Sequence, residues 1–231
     1  MTVQIGIFAK TFVRPTLAAT LDAVAAHGIR VVQFNLSCAG LPTLPDALDA
    51  AACAAIRAAH AERGLTMAAV SGTYNMIHPD PQVRSDGLRR LAVLAAACAA
   101  LGTSLITLCT GSRDAENMWR RHPDNDTPAA WRDLLASMAG AAAIAEQHGV
   151  TLGIEPEVAN VVDSAAKARL LLDELRSPQL KIVMDGANLF HRGELPRQHA
   201  VLAEAFALLG DDIALAHAKD LRADGAAGDA P

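Results

Sequence analysis

Seven short runs of consecutive apolar residues alternate with longer stretches in which apolar and polar positions recur at helical spacing. The runs cover residues 3–9, 30–36, 65–71, 104–109, 150–155, 180–185 and 213–218. They are continuous rather than alternating, which is the pattern of parallel strands covered on both faces. Between them the periodicity predicts helices over 16–27, 44–63, 81–101, 127–148, 164–175 and 196–209. Gly28, Gly64, Gly102 and Gly149 each separate a helical stretch from the next apolar run, where a left-handed residue ends a helix. They are 36, 38 and 47 residues apart, so each interval holds one strand and one helix.

Strict alternation fits two α/β architectures, an open doubly wound parallel sheet and a (β/α)8 barrel. The turn after the first run, Ala9–Lys10–Thr11, lacks a glycine-rich phosphate loop, which disfavours the nucleotide-binding doubly wound sheet. A barrel needs an eighth strand and typically runs to about 250 residues. Here the seventh run passes into a Gly/Ala/Asp/Pro segment over 223–231. No linker, low-complexity block or composition break divides the chain. The expectation is one domain over residues 1–231, a (β/α)8 TIM barrel without its last βα unit. Such an open barrel leaves strand edges that a partner copy could cover, so a homodimer is compatible with it.

Composition narrows the classes. Apolar residues make up 52% and charged residues 19%, ample for a sizeable core and too apolar for a disordered chain. Aromatics are only 3%, so Ala, Leu, Val and Ile must build that core. A net charge of −5 supplies no general basic face, and nucleic acid is not expected as a partner. Cys38, Cys53, Cys98 and Cys109 have no metal-type spacing, and the first nine residues lack a secretion-signal pattern; reduced thiols in a cytoplasmic protein are expected. Residues 91–112 carry no charge and could span a bilayer, but Gly102–Thr103–Ser104 interrupt them. A helix followed by a buried strand explains that run better than a membrane span.

In a barrel, chemistry collects at the C-terminal ends of the strands. The fifth run ends in GIEPE (153–157), which places Glu155 and Glu157; the sixth in VMDGANLF (183–190), which places Asp185 and Asn188. The seventh ends in LAHAKD (215–220), which places His217, Lys219 and Asp220. Runs three and four lead into Asn75 and His78, and into Thr110 and Arg113. Glu155, Asp185 and His217 follow one another at intervals of 30 and 32 residues, one βα unit each, so they would be neighbours on the rim. Two carboxylates and an imidazole suit one divalent ion such as Mn²⁺, Mg²⁺, Co²⁺ or Zn²⁺.

These strings, in this order and spacing, resemble the xylose isomerase-like barrel superfamily, and within it the sugar phosphate isomerase/epimerase branch. The resemblance covers nearly the whole chain. It implies one divalent metal held by Glu155, Asp185 and His217, with a fourth ligand from a strand-eight glutamate that has no counterpart here. It implies that Glu155 is also an acid/base group, moving a proton next to a carbonyl through a metal-stabilised enediolate. The strand-eight glutamate would be its partner, so turnover by these 231 residues is expected to be weak or absent. A histidine common three residues after the aspartate is Asn188 here. The implied substrate is a small carbohydrate-like molecule: a sugar, sugar phosphate or polyol-like ketone.

Each residue also has a structural reading. Glu155 and Asp185 could cap helices or pair with cations, and His217 could be a satisfied structural histidine. Lys219 could pair with Asp220 instead of standing beside metal or substrate. Asn75 and His78 are candidate pocket residues or turn formers. Thr110 and Arg113 are candidate substrate contacts, unless Arg113 pairs with Asp114 or Glu116. Glu157 is a further substrate-contact candidate, His191 lies in a loop past Asp185, and Trp119 sits in a long loop of the kind that forms lids. His27 and His148 fit helix C-termini, and His60 lies within a helix. Cys109 reads as packing. Alternatives in function are a keto-inositol-type dehydratase on the same barrel and an inactive ligand-binding barrel. An AP endonuclease-like phosphodiesterase wants more histidines and a basic groove.

Overall fold

The computed structural model describes residues 3–190 and 193–219. Among them are seven strands: β1 (Gly6–Phe8), β2 (Val31–Phe34), β3 (Thr66–Ser71), β4 (Leu105–Cys109), β5 (Thr151–Glu155), β6 (Leu180–Asp185) and β7 (Ile213–His217). Six α-helices alternate with them: α1 (Leu17–Ala26), α2 (Ala50–Ala61), α3 (Pro81–Leu101), α4 (Pro128–His148), α5 (Ala165–Leu175) and α6 (Gln198–Leu209). The strand order is β1-β2-β3-β4-β5-β6-β7. The ladders β1–β2, β2–β3, β3–β4, β5–β6 and β6–β7 are all parallel. A doubly wound sheet reverses its strand order at a switch point. This order never reverses, and it is the order of a βα barrel.

Local chemistry sets the helix starts. Thr16, Asp49 and Ser164 cap α1, α2 and α5 by accepting the backbone N–H of Ala19, Ala52 and Lys167. Thr127 accepts the N–H of Ala130 ahead of α4, and Pro81 and Pro128 stand at first helical positions, where no N–H is needed. Two boundaries depart from the sequence reading. The helix expected from residue 44 begins at Ala50, because Asp49 caps it. The first strand is only Gly6–Phe8, because the chain turns at Ala9 into a 3-10 helix and Val3 and Ile5 stay exposed.

Two compact units divide the chain. The first comprises Met1–Thr73, Arg89–Thr107 and Ile144–Thr151. Its core joins Val32 and Phe34 of β2 to Met67 and Val70 of β3, with Leu21, Val24, Ile56, Leu94 and Cys98 from its helices. Each such large apolar side chain contributes about 1.5–3 kcal/mol when fully buried. Gln33 adds a buried polar link, donating to Ser71 Oγ at 3.4 Å and Thr107 Oγ1 at 3.2 Å. The second unit comprises Tyr74–Leu88, Leu108–Ala143 and Leu152–Pro231. Met76, Ile77, Leu108, Leu134, Met138, Ile154, Val183 and Leu209 form its core. Among the described residues no helix is long and apolar enough to cross a membrane; the uncharged run over 91–112 is the end of α3 followed by β4.

Candidate metal and acid–base centre

The second unit carries three successive strand ends, each with a polar group; β5 and β6 reach it through largely buried apolar residues, whereas β7 alternates partly buried and exposed positions. Glu155 closes β5, Asp185 closes β6 and His217 closes β7. One ligand atom from each lies within 4.8 Å of the others. His217 Nδ1 is 3.5 Å from Glu155 Oε1 and 3.7 Å from Asp185 Oδ2. Asp185 caps the following 3-10 turn (Gly186–Leu189): its Oδ1 accepts the N–H of Ala187 at 2.9 Å. That bond fixes the carboxylate and leaves Oδ2 to face His217 and Lys219 Nζ, the latter at 3.4 Å.

The charges are mutually dependent. Burial works to discharge His217, but the Asp185 and Glu155 carboxylates outweigh it, and the imidazole is pushed up to about 9. Burial likewise works against ionised Asp185, yet His217 and Lys219 hold its carboxyl below the ordinary value. Burial pushes Glu157 up, and the nearby charges of Glu155 and Asp185 add to it against the Ala159 N–H and Lys219. The donor set fits a divalent cation. Two hard oxygen ligands and one imidazole converge there, and the two carboxylates already draw the positive charges of His217 and Lys219 toward them.

The other candidates separate into two groups. Asn188 and Lys219 belong to the centre: Asn188 Nδ2 donates to Glu155 Oε1 at 2.6 Å, and Lys219 Nζ donates to Asn188 Oδ1 at 2.5 Å. Lys219 therefore pairs within the site; Asp220 lies outside the described residues, as does His191. Glu157 is buried beside the centre, with its carboxylate taking Ala159 N–H at 3.4 Å and Asn160 Nδ2 at 3.2 Å.

Asn75, His78, Thr110 and Arg113 are instead tied into the framework. Asn75 bridges the loop after β4, donating to Ser112 O at 2.8 Å and accepting Ser112 N–H at 3.1 Å. His78 is set in its turn, with Nε2 3.1 Å from Ala115 O and Nδ1 accepting Asp80 N–H at 3.1 Å. Thr110 is fully buried, and its Oγ1 accepts the N–H of Val162 at 3.1 Å. Arg113 pairs with Asp133 at 2.6 Å and donates to Ile77 O at 3.1 Å. Its expected partners Asp114 and Glu116 pair with Arg120 instead. A helix residue twenty positions away proved the better placed anion, which spacing could not show.

Sequence reasoning missed the asparagines that lock these loops. Asn160 is fully buried; it accepts Gly111 N–H at 2.6 Å and holds Glu157. Asn125 accepts Arg113 N–H at 2.8 Å and donates to Ala159 O at 3.0 Å. Neither stands at a strand end, and no spacing marks them. Trp119 is half exposed in a loop braced by Arg121, which bonds Val158 O at 3.1 Å and Asp163 at 3.0 Å.

Comparison with known proteins agrees with this architecture. No curated protein matches the chain in sequence. Solved structures do match in fold. A 3-keto-D-glucoside 4-epimerase from E. coli is similar with a TM-score of 0.74 at 17% identity, over 95% of this chain and 80% of that one. A D-allulose 3-epimerase from Methylomonas sp. is similar with a TM-score of 0.70 at 17% identity, over 93% and 71%. A probable 3-DHS dehydratase from Bacillus anthracis is similar with a TM-score of 0.67 at 12% identity, over 91% and 71%. The profile of the xylose isomerase-like TIM barrel matches residues 21–229. The chain therefore belongs to the xylose isomerase-like TIM barrel family.

Proposed function

We propose that this protein is a divalent-metal-dependent isomerase or epimerase acting on a sugar, sugar phosphate or polyol-like ketone. The observation that carries the reading is the convergence of Glu155, Asp185 and His217 within 4.8 Å at the ends of successive strands. These three residues would hold the ion. When bound, it would supply positive charge to a carbonyl oxygen that becomes anionic as the adjacent carbon loses its proton.

The protein's own part is to place and move that proton. The hydrogen bond from Asn188 and the ion pair with His217 both fall on Glu155 Oε1. The other carboxylate oxygen, Oε2, is then the one that takes the proton from carbon and returns it. Asp185 is buried and Glu155 and His217 are partly covered, which limits the water that competes for that transfer. Two of the structural neighbours are named as sugar epimerases, which supports this substrate class. A neighbour named as a probable dehydratase supports a second reading, because dehydration can begin with the same proton abstraction. Product analysis separates them: an epimer retains the water that a dehydrated product has lost.

The test has two parts. Mn²⁺ titration should show about one ion per chain, lost in Glu155→Gln. Incubation in D2O with a panel of ketoses, 3-keto-glycosides and sugar phosphates should exchange one carbon-bound proton for deuterium. Exchange at one carbon needs only one acid/base group, so it reports on Glu155 by itself. If Glu155→Gln left both metal binding and exchange unchanged, the reading would be wrong.

A further inference from the structure

Asn188 stands where the resemblance places a substrate-contacting histidine, yet its side chain is engaged within the protein. It lies on the 3-10 turn Gly186–Leu189, directly after the ligand Asp185, and is buried. Its backbone carbonyl accepts Val158 N–H at 3.1 Å, which fixes the turn against the segment after β5. Its amide sits between Lys219 Nζ at 2.5 Å and Glu155 Oε1 at 2.6 Å.

The chemistry of these neighbours dictates how the amide is oriented. An ammonium only donates hydrogen bonds, and a carboxylate only accepts them. The asparagine can therefore satisfy both in one orientation alone, Oδ1 toward Lys219 and Nδ2 toward Glu155. Lys219 is restrained in turn by Asp185 Oδ2 at 3.4 Å. The path Lys219–Asn188–Glu155 thus joins the ends of β7, β6 and β5 through side chains, closing on Asp185.

We infer that Asn188 is a positioning residue for the centre, oriented by Lys219, which holds Glu155 through Oε1 and so fixes the orientation of its carboxylate toward the ion and the substrate. This inference rests on the metal-dependent reading proposed above. It assigns Asn188 a role through Glu155 and not through contact with substrate. Partners that orient metal ligands typically contribute ten- to a hundred-fold in affinity.

The probe is Mn²⁺ alone, with free ion measured by electron paramagnetic resonance on the full chain. Wild type, Asn188→Ala and Asn188→Asp are compared, with folding checked by circular dichroism melts. Asn188→Ala removes the donor and should weaken Mn²⁺ binding by about ten- to a hundred-fold. Asn188→Asp keeps the volume and the link to Lys219 but turns an acceptor toward Glu155 Oε1. The two roles then predict opposite signs. Extra negative charge near the ion would tighten binding if residue 188 acted only through its field, whereas loss of the pin should weaken it. If Asn188→Ala proves unfolded, Asn188→Asp decides alone. Weaker binding in the folded variants supports the inference. Unchanged binding in Asn188→Ala, or unchanged or tighter binding in Asn188→Asp, overturns it while leaving the proposed function in place. A wild-type chain that binds no Mn²⁺ overturns both.

Discussion

Asp185 and His217 are register partners: β6 and β7 pair in parallel so that the two residues lie side by side, with His217 Nδ1 3.7 Å from Asp185 Oδ2. A strand ladder, and not a mobile loop, sets this approach. In the proposed centre the imidazole would take a proton or a metal ion, but not both at the same nitrogen.

That competition gives the centre a pH dependence. Against its burial, the Asp185 and Glu155 carboxylates push His217 up to about 9, and in the proposed centre the imidazole would have to lose its proton to bind a metal. Apparent Mn²⁺ affinity should therefore rise about tenfold per pH unit toward pH 9, as titrations at about pH 6.5, 7.5 and 8.5 would show. Metal-free stability should run the other way. A group whose pKa is raised by folding stabilises below its ordinary value and loses that contribution as pH rises through the folded value. The metal-free melting temperature should thus fall between the ordinary histidine value of 6.5 and about 9, and His217→Gln should flatten the fall. A flat affinity profile would contradict the assignment of His217 as ligand.

Gly111 opens the loop after β4 in a left-handed conformation with φ +85°, and an added Cβ would meet Asn75 Oδ1 at 2.1 Å. Asn75 cannot swing away without releasing both backbone groups of Ser112. Gly111→Ala should cost on the order of 2–4 kcal/mol, read as a lower urea midpoint. A change within about 0.5 kcal/mol would mean that the loop yields freely.

Asp163 and Asp126 share the same two cations. Arg121 lies 3.0 Å and Lys167 3.1 Å from Asp163; the corresponding distances to Asp126 are 2.7 and 3.0 Å. Asp163 is buried and Asp126 is half exposed in its side chain. Screening makes an exposed pair weak, whereas a buried one resists it. Asp163→Ala should destabilise by about 1–3 kcal/mol and Asp126→Ala by less than about 1. Limited trypsin digestion should also nick Asp163→Ala faster at Arg120 and Arg121. Equal effects of the two substitutions would refute the ranking.

Three of the four thiols are shielded. Cys53, Cys98 and Cys109 are buried, and burial pushes Cys98 up to about 12; Cys38 is partly exposed. A colourimetric thiol reagent should titrate one cysteine quickly in the native chain and all four in denaturant. Rapid modification of a second thiol would show that the core opens locally.

Most element boundaries were legible because caps and glycine stops are local. Asp49, Thr127 and Ser164 act on N–H groups three residues away, and Gly28, Gly64, Gly102 and Gly149 all take positive φ after α1 to α4. Glu155, Asp185 and His217 were legible for a related reason: a regular βα period converts sequence interval into position around a sheet. Asn75, Thr110 and Arg113 looked equivalent, since they too follow strands. Their hydroxyl, amide and guanidinium groups are instead consumed by framework bonds to Ser112, Val162 and Asp133, residues 20 to 52 positions away.

The sequence by itself therefore determined the alternation of strands and helices, the single parallel sense of the sheet, and which three side chains stand at successive strand ends. Those follow from periodicity, caps and burial, all of which act over a few residues. Only the tertiary structure decided which polar side chains remain available for chemistry. Hydrogen-bond partners are chosen by proximity in space, and a buried donor must find an acceptor wherever the fold brings one. That is why Arg113 pairs with Asp133, and why Asn188 is held between Lys219 and Glu155.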